Sequence, residues 1–291
     1  MDNTEMKNIQ WFPGHMAKTR RLIKANLSLV DAVVEVLDAR TPLSSSNPEM
    51  ESLTAGKPRI VLLNKSDLAD DRATQLWISY YGKKGITAIP VDCKSGKGLK
   101  NFLPTIKNKV LSQLMEKRAA HGMTGAAIRL MIVGIPNAGK SSFINKMAGS
   151  KRAKVEDRPG VTRSKQWVKI ENGVELLDMP GVLWPKFEDQ SAAIRLAFTG
   201  AISDSILDIE TLAMKLLSYL AENYPASLKE RYKIDVQPEA SGLDLLETVG
   251  RKRGMMISGG EINTERAAIT VLDEVRSGKR GRITLELPER E

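Results

Sequence analysis

The order of two short motifs constrains the fold of this chain more than any other feature of its sequence. Residues 134–141, Gly-Ile-Pro-Asn-Ala-Gly-Lys-Ser, match the G-x-x-x-x-G-K-[ST] pattern of a phosphate-binding loop. Residues 64–67, Asn-Lys-Ser-Asp, have the pattern of a loop that recognises a nucleotide base, and they precede the phosphate loop by seventy residues. In an uncut domain of this kind the phosphate loop comes first. The reversed order therefore predicts a circularly permuted nucleotide-binding domain.

The segments around these motifs alternate between strand and helix patterns. Apolar, β-branched runs predict six strands, of which the last two form a hairpin around Glu171-Asn172-Gly173: residues 30–38, 59–63, 86–91, 128–133, 166–170 and 174–178. Helical patterns include residues 17–28 and 101–119. The sequence therefore predicts an α/β domain with a mostly parallel sheet and helices on both faces. Each motif follows the carboxyl end of a strand, where open α/β sheets bind ligands.

The pattern changes after Pro185. Four helices separated by Gly, Pro or polar turns are predicted at residues 191–202, 208–223, 241–251 and 263–276. Four leucines of the second helix fall on one face: Leu212, Leu216, Leu217 and Leu220. We therefore expect a circularly permuted nucleotide-binding domain at residues 1–185 and a small all-helical domain at residues 186–291.

Composition narrows the class of protein. The chain is 42% hydrophobic and 27% charged, as soluble globular proteins are, and it has no apolar run of the ~18 residues that a membrane span needs. Its first residues have no apolar segment typical of a signal peptide. Cys93 is the single cysteine, which excludes an internal disulfide and argues against a cysteine-rich zinc module. These features favour a cytoplasmic protein that does not bind membranes.

The charge distribution indicates a polyanionic partner. The formal net charge is +9, and residues 1–190 hold 30 Lys and Arg against 19 Asp and Glu, whereas residues 191–291 hold 14 against 16. Basic clusters lie at residues 18–21, 94–118 and 151–154. Any one cluster is equally well explained as solvated surface. Together with the nucleotide motifs, the clusters favour RNA rather than DNA as the partner.

The phosphate loop has residues suited to a nucleotide triphosphate. Its glycines allow backbone N–H groups to point at phosphate oxygens, and the following helix adds partial positive charge at its N-terminus. Lys140 is expected to bridge the β- and γ-phosphates, and Ser141 to bind Mg²⁺. The residues expected to contact the nucleotide here are Asn137, Ala138, Gly139, Lys140, Ser141 and Ser142.

The earlier motif indicates guanine. The Asp67 carboxylate can accept hydrogen bonds from the N1–H and the exocyclic amine of guanine, whereas adenine lacks this donor pair and leaves the carboxylate unpaired. Asn64 and Lys65 belong to the same base-recognition motif. Cys93 and Lys94 lie where such domains place a base-supporting loop, although the sequence departs from the usual Ser-Ala-Lys. An ATPase is therefore disfavoured.

Two further segments have the features of switches that sense the γ-phosphate. Asp178 follows a predicted strand and is expected to hold Mg²⁺ through water, and the N–H of Gly181 to contact the γ-phosphate. Thr162, in a Pro-Gly-Val-Thr-Arg segment, is the candidate that completes the Mg²⁺ shell with its hydroxyl. The alternative for Thr162 is an ordinary turn or helix residue.

The group that activates the attacking water is less obvious. The residue after the switch glycine is Val182, where many GTPases have a water-orienting glutamine, so hydrolysis is slow unless another group positions the water. Asn137 is a candidate ligand for K⁺, which would supply the positive charge of an arginine finger. His15 precedes the helix that follows the switch in an uncut domain, so it is a candidate to contact the water. The alternative is that His15 anchors a loop with Trp11 and Phe12.

The motifs together resemble the bacterial ribosome biogenesis GTPase A family of circularly permuted GTPases. The matching segments are Phe12 to Met16, Asp38 to Pro42, Asn64 to Asp67, Gly134 to Ser141, and Asp178 to Gly181. The resemblance implies GTP hydrolysis, stimulated by the ribosome and coupled to late assembly of the large subunit, with ribosomal RNA as the bound surface. It also implies a catalytic His15, assistance by K⁺, and a monomer away from the ribosome. The C-terminal region resembles the family's RNA-binding domain only in size and helical character.

A second class of function remains open at this point. A GTP-dependent switch that binds a protein and no RNA would have the same nucleotide motifs. The two classes differ in salt dependence, because binding to a polyanion weakens steeply as the salt concentration rises.

Overall fold

A computed structural model describes residues 14–123, 125–149, 166–181 and 189–289, with the side chains of residues 14–19 outside the description. The described residues form two compact units. The first contains the described residues up to 181 together with residues 284–289, and the second contains residues 189–283. The last described residues thus pack on the first unit, whereas the sequence pattern grouped them with the helical domain.

The first unit is built on a six-stranded sheet with the order β3-β2-β1-β4-β6-β5. Its strands are β1 (Ala32–Asp38), β2 (Arg59–Asn64), β3 (Thr87–Pro90), β4 (Ile128–Val133), β5 (Gln166–Ile170) and β6 (Val174–Asp178). All neighbouring pairs are parallel except β5 and β6, which form an antiparallel hairpin. Asn172 and Gly173 in the hairpin turn have positive φ values of 62° and 70°, as Asn-Gly turns between antiparallel strands require. The predicted mostly parallel α/β class is confirmed.

The direction of the strand order reverses between β1 and β4. From β1 the chain continues to β2 and β3 on one side, and from β4 it continues towards β6 and β5 on the other side. The two central strands pair in parallel, with Glu35 opposite Val133. A crevice outside the carboxyl ends of the strands at such a reversal is where open α/β sheets bind ligands. Asp38 and Gly134 lie at these ends.

Both faces of the sheet are covered, and two apolar clusters lie side by side on one of them. Strand β1 is buried along its whole length, as expected of a central parallel strand. In the first cluster, Ile23 of helix α1 (Gly14–Asn26) packs with Val33 and Met131. In the second, Trp77 of helix α3 (Asp71–Lys83) packs with Leu37 and Leu63. Val33 and Leu37 are four residues apart on β1, so both clusters lie on the same face. The other helices of this unit are α2 (Met50–Leu53), α4 (Phe102–Thr105), α5 (Ser112–Ala120) and α6 (Lys140–Met147).

Two helical segments differ from the sequence prediction. Helix α1 begins at Gly14, directly after Pro13 in the sequence and three residues before the predicted start, so His15 lies in its first turn. The continuous helix predicted at residues 101–119 is interrupted by a π-turn at Ile106–Val110, in which the Leu111 N–H donates to the Ile106 carbonyl at 2.8 Å. This wider turn brings Leu111 onto the same side as Ile106, and both are buried. Burial of the second apolar side chain accounts for the interruption.

The second unit is helical, as predicted. Its helices are α7 (Gln190–Phe198), α8 (Ile209–Asn223), α9 (Pro225–Tyr232), α10 (Gly242–Lys252) and α11 (Thr264–Arg276). The four leucines predicted to share one face of α8 are all buried. Helix α9 was not predicted, because it is short and polar, although Pro225 at its first position is a known start signal. Among the described residues, no helix has the length and apolar character to cross a bilayer.

Candidate nucleotide-binding site

The phosphate loop connects β4 to α6 and approaches β1 closely. Gly134, Asn137 and Gly139 have positive φ values of 146°, 58° and 98°, which orient successive backbone N–H groups differently from a helix or strand. A Cβ atom added to Gly134 would overlap the Val36 carbonyl oxygen of β1. The loop therefore needs glycine there to lie against the sheet, and it opens onto the N-terminus of α6, whose free N–H groups favour an anion.

Lys140 lies inside this loop rather than on its surface. Its side chain is buried, and Nζ donates hydrogen bonds of 3.0 Å to the carbonyl oxygens of Gly134 and Ile135. Burial lowers the pKa of Lys140 to about 8, although the carboxylate of Asp178 acts in the opposite direction. The loop thus holds a desolvated ammonium group at the point where the sequence pattern places the β- and γ-phosphates.

Asp178, at the end of β6, has the properties of an outer ligand for a divalent cation. It is 1% exposed, and among the described residues its Oδ1 atom has no hydrogen-bond partner. Burial raises its pKa to about 6, against the lowering effect of Lys140. Ser141 follows in the first turn of α6. Within the described ranges no three His, Cys, Asp or Glu residues cluster as a metal site, but Mg²⁺ uses only one or two carboxylates together with phosphates. The residues fit Mg²⁺.

The switch glycine lies directly against the phosphate loop. A Cβ atom on Gly181 would be 2.8 Å from Lys140 Nζ and 3.1 Å from the backbone nitrogen of Pro136. The structure thus brings Gly181, Lys140 and Asp178 together, as the sequence analysis expected of groups that sense a γ-phosphate. Any residue larger than glycine at position 181 would displace the ammonium group.

One buried side chain connects three of the predicted nucleotide loops. The Asn64 amide donates from Nδ2 to the Ala138 carbonyl at 2.7 Å and accepts at Oδ1 from the Cys93 N–H at 3.0 Å. Asn64 is 3% exposed, and a Cβ atom on Gly139 would overlap its Nδ2 atom. The base-recognition motif, the phosphate loop and the loop at Cys93 therefore converge, although they are far apart in the sequence.

A buried ion cluster orients the base-recognition loop. The Arg40 guanidinium makes two hydrogen bonds to the Asp38 carboxylate, at 2.9 Å and 2.7 Å, and Lys65 Nζ lies 3.0 Å from Asp38 Oδ2. Burial opposes ionisation of Asp38, but the two cations outweigh it and hold the pKa of the carboxyl group well below its usual range. Asp67 is exposed, with its carboxylate available to a ligand. Asp38 and Arg40 belong to the Asp38 to Pro42 segment that matches the family, and an Asp-x-Arg sequence at the end of a buried strand is a recognisable signal of such a pair.

The loop at Cys93 contributes its backbone rather than its thiol. Cys93 is buried, and burial raises the pKa of its thiol to about 12, so the thiol is not a nucleophile. The Lys94 N–H donates to Asp92 Oδ1 at 2.8 Å, which tightens the turn. Lys94 itself is exposed next to this turn. Ser142 is partly exposed in the first turn of α6.

The remaining candidates lie at the edge of the description. Thr162 and Val182 are outside the described residues, and only the backbone of His15 is described. A partly open cavity is lined by Arg20 and Ile23 of α1 together with Gly134 and Pro180. The helix that contains His15 therefore lies beside the phosphate loop.

Comparisons with known proteins agree with this geometry. A family model described as "50S ribosome-binding GTPase" matches residues 129–224. A curated Bacillus cereus protein, "Ribosome biogenesis GTPase A", is 48% identical over 281 residues, which are 97% of this chain and 94% of that protein. The GDP-bound structure of TM YlqF superposes with a TM-score of 0.65 at 30% identity, covering 93% of this chain and 100% of that one. The GNP-bound structure of YlqF from T. maritima gives a TM-score of 0.62 at 31% identity, with 94% and 100% coverage.

Proposed function

We propose that this chain, which belongs to the ribosome biogenesis GTPase A family and hydrolyses GTP to GDP and phosphate, assembles the large ribosomal subunit and binds ribosomal RNA in its GTP-bound state. The observation that carries the nucleotide part of the proposal is the position of Asn64, whose amide holds the loops at Ala138 and Cys93 together. This convergence supports a single guanine nucleotide between Asp67 and Lys140. The proposed site of action is the cytoplasm.

We assign the phosphate end of the site to four residues. Lys140 leaves its two carbonyl acceptors to bridge the β- and γ-phosphates, and the Gly181 N–H contacts the γ-phosphate. Ser141 and Asp178 would hold Mg²⁺, Asp178 through water. Bound Mg²⁺ would supply positive charge that stabilises the charge developing on the phosphate oxygens. The low exposure of Lys140 and Asp178 favours this assignment, since charges interact more strongly where water is excluded.

Hydrolysis needs a group that replaces the missing glutamine at Val182. We propose that His15, in the first turn of α1, orients the attacking water, since α1 borders the cavity next to Gly134. Thr162 would complete the Mg²⁺ shell, and Asn137 would hold K⁺. A His15→Ala protein with unchanged GTP affinity and full turnover would exclude the first assignment, and equal GTPase rates in Na⁺ and K⁺ buffers would exclude the last.

The RNA-binding part of the proposal rests on a basic surface of the GTPase unit. Residues 94–118 contain seven Lys or Arg and one acidic residue, Glu116. The run begins at the loop that Asn64 contacts and continues through α4 and α5. Four of its lysines are exposed on the first part of this run: Lys94, Lys97, Lys100 and Lys109. Such a surface binds phosphate backbones with an affinity that falls steeply as salt rises.

One experiment tests the reaction, the base preference and the partner together. We expect the purified protein to hydrolyse GTP in preference to ATP, and purified large subunits to increase the rate. Co-sedimentation with large subunits should weaken as KCl is raised, and the substitutions Lys97→Ala, Lys100→Ala and Lys109→Ala should weaken it further. Lys169→Ala, an exposed lysine on β5, is the matched control.

Two results would count against the proposal. Binding to large subunits that is insensitive to salt and to the three lysine substitutions would favour a protein-directed switch without RNA. Equal hydrolysis of ATP and GTP would remove the guanine assignment. The subunit should also bind one copy of the protein, since the proposed factor acts as a monomer.

A further inference from the structure

The last described residues of the chain form a short segment that is buried on the GTPase unit. Thr284, Leu285 and Glu286 are 2%, 3% and 9% exposed, whereas Leu287 is 61% exposed. The Leu285 N–H donates to the Arg40 carbonyl at 2.8 Å. We call residues 284–286 the return segment, because the chain reaches it after the helical unit.

The return segment contacts Asp70 just after the base-recognition motif, and also Ser44 and Trp77 elsewhere in the GTPase unit. On one side, the Asp70 N–H donates to Thr284 Oγ1 at 3.0 Å, and Asp70 is the N-cap of α3, three residues after Asp67. On the other side, the Glu286 carboxylate accepts from the Ser44 N–H at 2.8 Å and from the Ser44 hydroxyl. The Glu286 carbonyl accepts from Trp77 Nε1 at 3.1 Å.

A short chain of contacts leads from this segment to the base-recognition side chains. Arg40, whose carbonyl binds Leu285, is held by Asp38, and Asp38 also pairs with Lys65. The Ala39 N–H donates to the Asn64 carbonyl at 2.7 Å, so the two segments share backbone contacts as well. All these groups are buried or partly buried, and buried packed contacts transmit displacement because they leave no space for independent movement.

We propose that the return segment is a positioning element for guanine: when docked, it holds residues 38–44 and 64–70 in the geometry that binds the base, and its release weakens guanine binding. This inference rests on the proposed role of Asp67 as the guanine acceptor. Glu286 and Thr284 act through the loop and are positioning residues. The occupant of the site is a guanine nucleoside phosphate, and the segment tunes its affinity.

The test compares Glu286→Ala with Glu289→Ala, which removes an exposed carboxylate three residues further along. Affinities and dissociation rates are measured for fluorescent GDP and for fluorescent IDP, whose hypoxanthine base lacks the exocyclic amine. We expect Glu286→Ala to weaken GDP binding by about fivefold, the lower end of couplings between sites. IDP binding should weaken less, because IDP makes only one of the two hydrogen bonds to Asp67. Glu289→Ala should match the wild type.

Three outcomes would overturn the inference. They are unchanged GDP affinity in Glu286→Ala, an equal loss for GDP and IDP, and an equal loss in Glu289→Ala. If circular dichroism shows that Glu286→Ala is unfolded, Thr284→Val provides the same comparison, since it removes the hydroxyl group that accepts from the Asp70 N–H. A wild-type protein that does not prefer GDP to ADP would instead contradict the proposed function, whatever the behaviour of Glu286.

Hydrogen exchange of the wild type gives a second, independent measurement. Coupling between two sites is reciprocal, so if docking of the segment favours GDP, then GDP must favour docking. We expect the amide of Leu285 to exchange about fivefold more slowly with saturating GDP than without it. Equal exchange in the two conditions would exclude the coupling.

Discussion

Removal of the Asn64 side chain should separate the three loops that it connects. Asn64→Ala leaves the Ala138 carbonyl and the Cys93 N–H without the partners they have at 2.7 Å and 3.0 Å. Each buried polar group without a partner costs about 1–3 kcal/mol, so we expect the two groups together to lower the free energy of unfolding by about 2–6 kcal/mol. For a unit of this size, 1 kcal/mol corresponds to about 2–4 °C in Tm, so the expected decrease is about 4–24 °C.

The assay is thermal unfolding followed by circular dichroism, with and without GDP and Mg²⁺. Asn108→Ala is the control, because Asn108 is exposed and lies away from the predicted loops. We also expect Asn64→Ala to bind GDP at least about tenfold more weakly, since about 1.4 kcal/mol of lost loop positioning is enough for that factor. A Tm equal to that of Asn108→Ala, with GDP affinity retained, would refute the view that this amide assembles the site.

Three other substitutions test separate parts of the structure. Gly139→Ala should be less stable in thermal unfolding, and bind GDP more weakly, than the control Gly122→Ala. Both glycines have positive φ, but only at Gly139 would the new Cβ atom overlap a side chain. Equal Tm values and equal GDP affinities in the two variants would contradict the expected overlap at Gly139. Asp178→Asn should abolish Mg²⁺-dependent GTP hydrolysis. Without nucleotide at pH 7.5, however, it should raise the free energy of unfolding by about 1–3 kcal/mol and therefore raise the Tm. An acid whose pKa rises from 3.8 to about 6 on folding binds its proton more tightly when folded, so the wild type loses stability as pH rises through that range. The gain in Tm of Asp178→Asn over the wild type should therefore vanish near pH 3.8. Equal Tm values for the two proteins at pH 7.5 would contradict this prediction. Arg40→Ala removes the bidentate partner of the buried Asp38 carboxylate, which keeps only Lys65, and should cost about 3–5 kcal/mol in urea unfolding. Arg20→Ala, which breaks a partly exposed pair, should cost at most about 1 kcal/mol. Equal losses would show that the Arg40 pair is not effectively buried.

Local patterns allowed most of the sheet and the phosphate loop to be predicted. Strands such as residues 128–133 are short apolar runs with turn residues at their ends, and their bounds depend little on distant contacts. The π-turn before Leu111 could not be predicted, because it depends on burial of that side chain against the rest of the unit. The return segment could not be predicted either, since its contact with Ser44 joins residues 242 positions apart. The sequence identified Asn64 as a base-recognition residue, but its hydrogen bonds to two other loops required the three-dimensional structure.

The permutation changes how the helical unit is joined to the nucleotide site. In an uncut domain the loop at Gly181 would continue into the helix equivalent to α1, within the same sheet domain. Here the described part of the GTPase unit that precedes the helical unit ends at Gly181, which lies against Lys140. The chain re-enters the GTPase unit at Thr284, whose hydroxyl group accepts from the Asp70 N–H at the start of α3, just after Asp67. One connection thus adjoins the group proposed to bind the γ-phosphate, and the other adjoins the group proposed to bind guanine.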